Sequence, residues 1–161
     1  MILDLPNLAT RLEQAVQKFT DVAVVGISGG VDSAVVAAIA CAALGAEHVF
    51  VVSMPYDDTD RQTFNNRSAE LAAKLGAKHL IVEIGTATDS LLLALQSPAN
   101  AKVGTSVELH RLTLGNMRSR MRMATLYALA GELSYRSQEQ LYAPGAEPVV
   151  EKGVPLRVRV L

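Results

Sequence analysis

Val22-Ala23-Val24-Val25-Gly26-Ile27-Ser28-Gly29-Gly30-Val31-Asp32-Ser33 is the stretch that decides the fold. Its apolar, β-branched start is the pattern of a buried strand, and an alanine-rich run from Ala34 to Leu44 follows at helical length. The turn between them is built from Ser, Gly, Gly, Asp and Ser. Glycines accept tight backbone conformations and let a ligand approach without striking a Cβ. The free N–H groups of the next helix's first turn point into that loop, at the positive end of the helix dipole. Strand, glycine turn and helix N-terminus together form an anion cradle, and phosphate is its usual guest.

Asp32 sharpens this expectation. A carboxylate beside phosphate repels it unless a divalent cation lies between, and magnesium prefers one or two carboxylates plus phosphate oxygens. Ser28 and Ser33 add hydroxyl donors at the two ends of the turn. The plainer alternative is that Asp32 or Ser33 only caps the helix, in a glycine turn without a ligand.

Working outward, the spacing of Leu8, Leu12, Ala15, Val16 and Phe19 predicts an amphipathic helix capped by Asn7. Downstream, Gly45 stops the alanine-rich helix, and His48 to Ser53 reads as a second buried strand running into Met54-Pro55-Tyr56. An acidic loop from Asp57 to Asp60 leads to a helix over Arg61 to Leu75, with Phe64, Ala69, Leu71, Ala72 and Leu75 partly inward and Gly76 closing it. His79 to Ile84 is a third strand, Thr88 to Leu95 a short helix, and Ser97 to Gly104 a loop. Strands alternating with helices argue a three-layer α/β fold, a mainly parallel sheet with helices on both faces and right-handed crossovers. Ligands in such sheets sit at the carboxyl ends of the strands, which here are Ser28 to Ser33, Ser53 to Tyr56 and the residues after Ile84.

A last helix is expected from Asn116, as its N-cap, through Ala130, with Met117, Met121, Ala124 and Ala128 on one face. Arg118 and Arg122 share another face and Arg120 projects away from both. Three arginines in the first turns of a helix oppose its dipole, so they either bind an anion or pair with carboxylates elsewhere. At the end, Leu156, Val158 and Val160 alternate as one face of a terminal strand that can cover a sheet edge.

The composition bounds the function. The 161 residues, half of them hydrophobic, suffice for one domain with a sizeable core. Net charge is −1 and the sequence pI is near 6.3, without the basic footprint of non-specific nucleic-acid binding. The longest apolar run falls short of the roughly 20 residues that span a bilayer, and no basic leader is evident. One cysteine, Cys41, excludes an internal disulfide framework, so the cytoplasm is the expected compartment. His48, His79 and His110 are not spaced as metal ligands.

The loop resembles the S-G-G-x-D-S signature of the N-type ATP pyrophosphatases, which split ATP between the α and β phosphates through an adenylated intermediate. It differs from a Walker A motif, since no lysine is present, which disfavours a kinase or GTPase. Gly115-Asn116 followed by Arg120, Arg122 and Met123 is similar to the G-N-x-x-x-R-x-R-M segment of the NAD synthetase family. Met54-Pro55-Tyr56 after the second strand also resembles that family, and the likeness covers roughly Val22 to Glu132.

The resemblance implies an adenine nucleotide alpha hydrolase-like, Rossmann-like domain over residues 1–161. Residues 1–20 would be a leading helix, 22–132 the family-like core and 133–161 a divergent tail. It implies ATP binding by Gly26, Ile27, Ser28, Gly29, Gly30, Val31, Asp32, Ser33 and Met54, and Mg²⁺ held by Asp32. It implies deamido-NAD binding by Arg120, with Asn116 near the same ligand, and no protein nucleophile. The implied reaction adenylates deamido-NAD and aminates it with free ammonia, giving NAD, AMP and pyrophosphate in a homodimer. The chain departs from the family after its arginine helix, where neither a G-T-x-N-x-x-E strand end nor a T-K-Y-G-D-like segment is found. In the family the Glu of that strand end is a metal ligand, and Glu132, Glu139 and Glu151 are the candidates here for the missing carboxylate. The alternatives are a truncated, non-catalytic ATP-binding relative or partner-binding module, or another pyrophosphate-loop enzyme such as a tRNA thiolase or an argininosuccinate-type ligase. The lone Cys41 and near-neutral charge count against a thiolase.

Overall fold

A computed structural model of the chain describes residues 4–96, 110–142 and 156–161; the side chains of 63–65 and 137–142 lie outside that description. The elements are α1 (Leu5–Phe19), β1 (Val22–Ile27), α2 (Val31–Leu44), β2 (Val49–Ser53), α3 (Asp58–Leu75), β3 (Lys78–Ile81), α4 (Gly85–Leu95), α5 (Arg111–Tyr142) and β4 (Val158–Val160). One 3₁₀ turn, Ala46–His48, precedes β2. The four strands form one sheet in the order β3-β2-β1-β4, and every pairing is parallel. The chain runs outward from β1 through β2 to β3, then returns to the other side of β1. The carboxyl end of β1 therefore lies at a switch point, where open α/β sheets leave a crevice.

β1 and β2 are apolar on both faces because helices cover both. Ala23, Val25, Ile27, Val49 and Val51 pack with Ala37 and Ala40 of α2 and Ala72 of α3. Val22, Val24, Val52 and Met54 face the opposite layer, with Ala130, Met121, Leu126 and Leu129 of α5 and Val158 of β4. The expected three-layer, parallel architecture is the one observed. Among the described residues, no helix is long and apolar enough to cross a membrane.

The element boundaries differ where caps overrule periodicity. Asp4, not Asn7, caps α1: its side chain accepts from the Asn7 N–H at 3.2 Å, and Pro6 occupies the first turn. Asp57 accepts from the Asp60 N–H at 2.8 Å, so the acidic stretch read as a loop is the first turn of α3, where the dipole favours carboxylates. Gly76 takes a left-handed φ of 72° and ends that helix. β3 stops at Ile81, and the chain leaves the ladder with the Val82 N–H bonded to the Ser53 carbonyl and that of Ile84 to the Pro55 carbonyl. Beneath them, Ser53 and His79 share a 2.8 Å hydrogen bond within the β2–β3 pair. The expected loop over 97–104 lies outside the described residues.

The largest correction concerns α5. It starts at Arg111, so Asn116 lies inside the helix and caps nothing. The start is instead closed by His110, whose carbonyl accepts from Thr113 and Leu114 and whose Nδ1 accepts from Leu112. Arg118, Arg120 and Arg122 are consequently mid-helix, and the opposition to the dipole disappears. The face read at Met117, Met121, Ala124 and Ala128 is divided: Met121 packs on the sheet with Leu126, Leu129, Ala130 and Leu133, while Ala124 and Ala128 are exposed.

β4 covers the β1 edge as its alternation suggested, with Val22 opposite Val158 and Val24 opposite Val160. A fork of charge-assisted bonds fixes it. Arg157 donates to Asp21 from Nε at 3.0 Å and from Nη2 at 2.8 Å, and its backbone N–H adds a third bond at 2.8 Å. Thr20, fully buried, donates its hydroxyl between the Val22 and Arg157 carbonyls.

The side-chain hydrogen bond from Arg157 is the main reason that Asp21 is held below the usual carboxylate range. A carboxyl with a depressed folded pKa contributes stability above its unfolded pKa and loses it as pH falls through the folded one. Thermal melting should therefore weaken as pH drops below about 4, through a component that Asp21→Asn lacks. Equal acid slopes for the two proteins would refute the assignment.

Candidate functional site

The turn after β1 is held by its own serines. Ser33 Oγ accepts from the Ser28 N–H at 3.2 Å and donates to the Gly30 carbonyl at 3.1 Å, while the Gly30 N–H reaches Ser28 Oγ at 3.3 Å. Gly29 sits at a φ of 75°, a conformation costly for any residue with a Cβ. Gly30 caps α2 without a side chain, so the helix begins at Val31 and the loop is shorter than the sequence suggested. This is the compact loop and open helix N-terminus that an anion requires.

Beside the loop a cavity of about 620 Å³ opens over the ends of β1 and β2. Gly26, Ile27 and Met54 form its floor, Ser28 its loop side, and Arg118, Arg122 and Leu126 of α5 its wall. At Gly26 a Cβ would stand 2.9 Å from Leu126 Cδ1 and 3.2 Å from Met54 Cε, so both side-chain ends would have to shift into the cavity's floor to admit one. The volume lies within the usual span for small-molecule sites, and the apolar floor beneath a few polar groups is their common form.

Two arginines dock α5 on the strand ends in different ways. Arg122 donates from Nε to the Met54 carbonyl at 3.1 Å and from Nη2 to Asp60 Oδ2 at 3.3 Å. Asp60 Oδ2 also accepts from the Tyr56 N–H at 3.1 Å, so one carboxylate ties α3, the β2 exit and α5 together. Arg118 lies over the Tyr56 ring, 3.6 Å from its centroid. The Tyr56 hydroxyl donates to Asp89 of α4 at 2.6 Å, and that bond is the main reason its phenol is pushed above the usual range. Gly85 completes the clamp: a Cβ there would fall 2.3 Å from the Tyr56 carbonyl oxygen.

Of the residues singled out by sequence, Gly26, Ile27, Ser28 and Met54 line this cavity. Gly29, Gly30, Val31, Asp32 and Ser33 form the adjoining turn and helix start, outside the lining. Asn116 and Arg120 are exposed and lie about 200° around α5 from Arg118, on its outer face. Asp60 and Leu126 had no site role in the sequence reading, and Arg118 and Arg122 had only the open choice between an anion and a carboxylate partner. The spacing of Arg118, Arg122 and Leu126 at i, i+4 and i+8 is the signal for three of them; nothing local marks Asp60. Asp32 is exposed and enters no ion pair among the described residues. No group of three or more His, Cys, Asp or Glu able to hold a metal occurs among those residues. A single accessible carboxylate beside a phosphate cradle suits magnesium, which retains waters and phosphate oxygens as its other ligands. Glu132 pairs with Arg136 at 2.8 Å and does not line the cavity. Glu151 and the side chain of Glu139 lie outside the described residues.

Comparison with known proteins bears on the family and the fold. The family model described as NAD synthase matches residues 5–136. The chain is 37% identical over 137 residues to the NH3-dependent NAD+ synthetase of Pyrococcus horikoshii, covering 82% of this chain and 47% of that protein. A glutamine-dependent NAD+ synthetase from Acinetobacter baumannii, solved with ADP, superposes with a TM-score of 0.69 at 28% identity, over 81% of this chain and 24% of that one. An NH3-dependent NAD synthetase from Campylobacter jejuni, solved with a nitrate ion, gives 0.64 at 26% identity, over 80% and 53%. The chain thus spans about half the length of the NH3-dependent relatives it matches.

The Gly85 contact with the Tyr56 backbone predicts a specific sensitivity. A Cβ facing backbone cannot be relieved by a rotamer change, so Gly85→Ala should cost about 1–3 kcal/mol. Urea unfolding reads this as a lower midpoint at unchanged slope. A midpoint equal to wild type would show that the α4 start is not pressed against Tyr56.

Proposed function

The chain belongs to the NAD synthase family, and from that premise we propose that it carries out the ATP-dependent, ammonia-consuming step of NAD formation. The nicotinate carboxylate of deamido-NAD attacks the α-phosphorus of ATP, pyrophosphate leaves, and ammonia then displaces AMP from the acyl adenylate. The observation that carries this reading is the cavity at the carboxyl end of β1, floored by apolar groups and flanked by the serine–glycine turn. The Acinetobacter relative's bound ADP supports an adenine nucleotide as its occupant.

On this reading Gly26, Ile27 and Met54 receive the flat base, while the loop N–H groups from Ser28 to Ser33 and the two serine hydroxyls hold the phosphate tail. Val31 lies at the start of α2 and contributes its backbone to the same cradle. Phosphoryl chemistry of this kind demands in-line positioning and charge neutralisation more than a nucleophile from the protein. Asp32 is the carboxylate that would hold Mg²⁺, and the ion, when bound, neutralises charge developing on the departing pyrophosphate.

We assign deamido-NAD to Arg120 and Asn116 on the outer face of α5, which places its site between two copies of the chain. Leu112 and Tyr127 follow the same stripe with exposures of 72% and 64%. So much apolar surface rimmed by polar residues is the usual mark of a contact surface, and it supports a homodimer. Residues 1–161 then form one nucleotide-binding domain, with the cytoplasm as its compartment.

Pyrophosphate release should require ATP, magnesium and deamido-NAD, should continue past one turnover only with ammonia, and should fall on the order of 100-fold in Asp32→Asn. Binding of ATP by calorimetry without any turnover would replace this reading with a nucleotide-binding module. Tyr127→Glu should shift sedimentation from dimer to monomer by placing charge in an apolar contact. A wild type that sediments as a monomer at all concentrations would remove the shared substrate site.

A further inference from the structure

The turn after β1 supplies N–H groups and hydroxyls but no cation, and Asp32 adds a negative charge to it. A polyphosphate held there needs positive charge from elsewhere in the protein. Two guanidinium groups reach the cavity wall, those of Arg118 and Arg122. They are not equivalent. Arg122 is bonded to the Met54 carbonyl and to Asp60, so its charge is offset and its donors are partly committed to docking α5. Arg118 forms no carboxylate ion pair among the described residues; its partner is the face of Tyr56.

Stacking matters because the ring engages the guanidinium without a carboxylate that would offset its charge. A guanidinium has five N–H donors, so the contact with Tyr56 leaves donors for the two-pronged hydrogen bonds that phosphate accepts well. The stack also removes rotamer freedom from a long side chain before any ligand arrives. Tyr56 is itself fixed at its N–H by Asp60, at its carbonyl by the close approach of Gly85, and at its hydroxyl by Asp89. A platform secured at three points by α3 and α4 is more than docking a helix requires, since Arg122 already supplies that anchor.

We propose that Arg118 is the cation that binds the phosphate tail of the nucleotide in this cavity, and that Tyr56, held by Asp89, is the residue that positions it. This rests on the nucleotide reading given above. Arg120, two residues away, points to the opposite side of α5, so one helix presents a guanidinium to each of two ligands.

The test is calorimetry with ATP and with adenosine, in magnesium, on the full chain. Wild type should bind both. Arg118→Gln should weaken ATP by about tenfold or more, the scale of a lost charge-assisted bond, and leave adenosine within about twofold. Tyr56→Leu should show the same selective loss, and Tyr56→Phe, which keeps the ring, should restore most of the affinity. If Arg118→Gln does not fold, Arg118→Lys takes its place; with the charge kept and the stack lost, it should bind ATP with an intermediate affinity. Unchanged ATP affinity in a folded Arg118→Gln or Arg118→Lys overturns the proposal. Equal loss of ATP and adenosine, with an unaltered melting temperature, also overturns it and leaves Arg118 as a helix anchor. A wild type that binds neither ligand sinks the nucleotide reading itself, a result distinct from both.

Discussion

Everything at the rim depends on how closely α5 approaches the last turn of β1. At Gly26 the strand must pass under Leu126 and beside Met54 with no side chain of its own, because a Cβ would meet both within 3.2 Å. That proximity turns the end of a buried strand into a cavity floor instead of a packed seam. It also sets the height of α5 over the sheet, and with it the reach of Arg118 and Arg122. Met121 and Leu129 pack against the sheet on either side of the contact, so burial holds the helix down while the missing Cβ leaves room for the ends of Leu126 and Met54.

The interior of the fold was readable from sequence because β1 and β2 are apolar on both faces. Val22 to Ile27 and Val49 to Ser53 admit little but central parallel strands, and Gly45 and Gly76 end their helices where they stand. Periodicity says less about ends. Asp4, Asp57 and His110 start helices earlier than the apolar pattern does, since a cap acts through local hydrogen bonds to the first-turn N–H groups. Asn116 was read as an N-cap because its side chain suits that position, and both Gly115 and Asn116 are weak helix formers. Tertiary packing of the long α5 overrides that preference, as it commonly does.

The site was legible in the same uneven way. The serine–glycine turn is contiguous in sequence, so its bonding could be anticipated from the order of its residues. The wall of the cavity is not contiguous. Asp60 matters because it meets the Tyr56 N–H and Arg122 from a third element, a coincidence of three segments that no local pattern encodes. Arg118 and Arg122 carried half a signal. Their spacing put them on one face, but only the sheet register and the Gly26 contact decide that this face, and not that of Arg120, overlooks β1.

β4 shows the same logic at the opposite side of β1. It has three residues, too few to hold itself by ladder bonds alone, and Arg157 supplies the remainder by gripping Asp21 and the carbonyls of Gln17 and Lys18. Because those carbonyls belong to the last turn of α1, the fork meets the negative end of that helix's dipole, where a cation is favoured. One side chain thus joins α1, the entry to β1 and β4. On the strand itself Arg159 turns back to the Val158 carbonyl at 3.0 Å, which places a charge and a filled acceptor beside the strand. Charge of this kind discourages unplanned strand pairing, so the short β4 both covers β1 and presents a poor template to another chain. With β4 in place, Val158 and Val160 close the core beneath α5. The helix that carries the cavity's arginines is therefore seated on β4 as well as on β1 and β2, and the Asp21–Arg157 fork at the base of the sheet supports the placement of Arg118 and Arg122 at its rim.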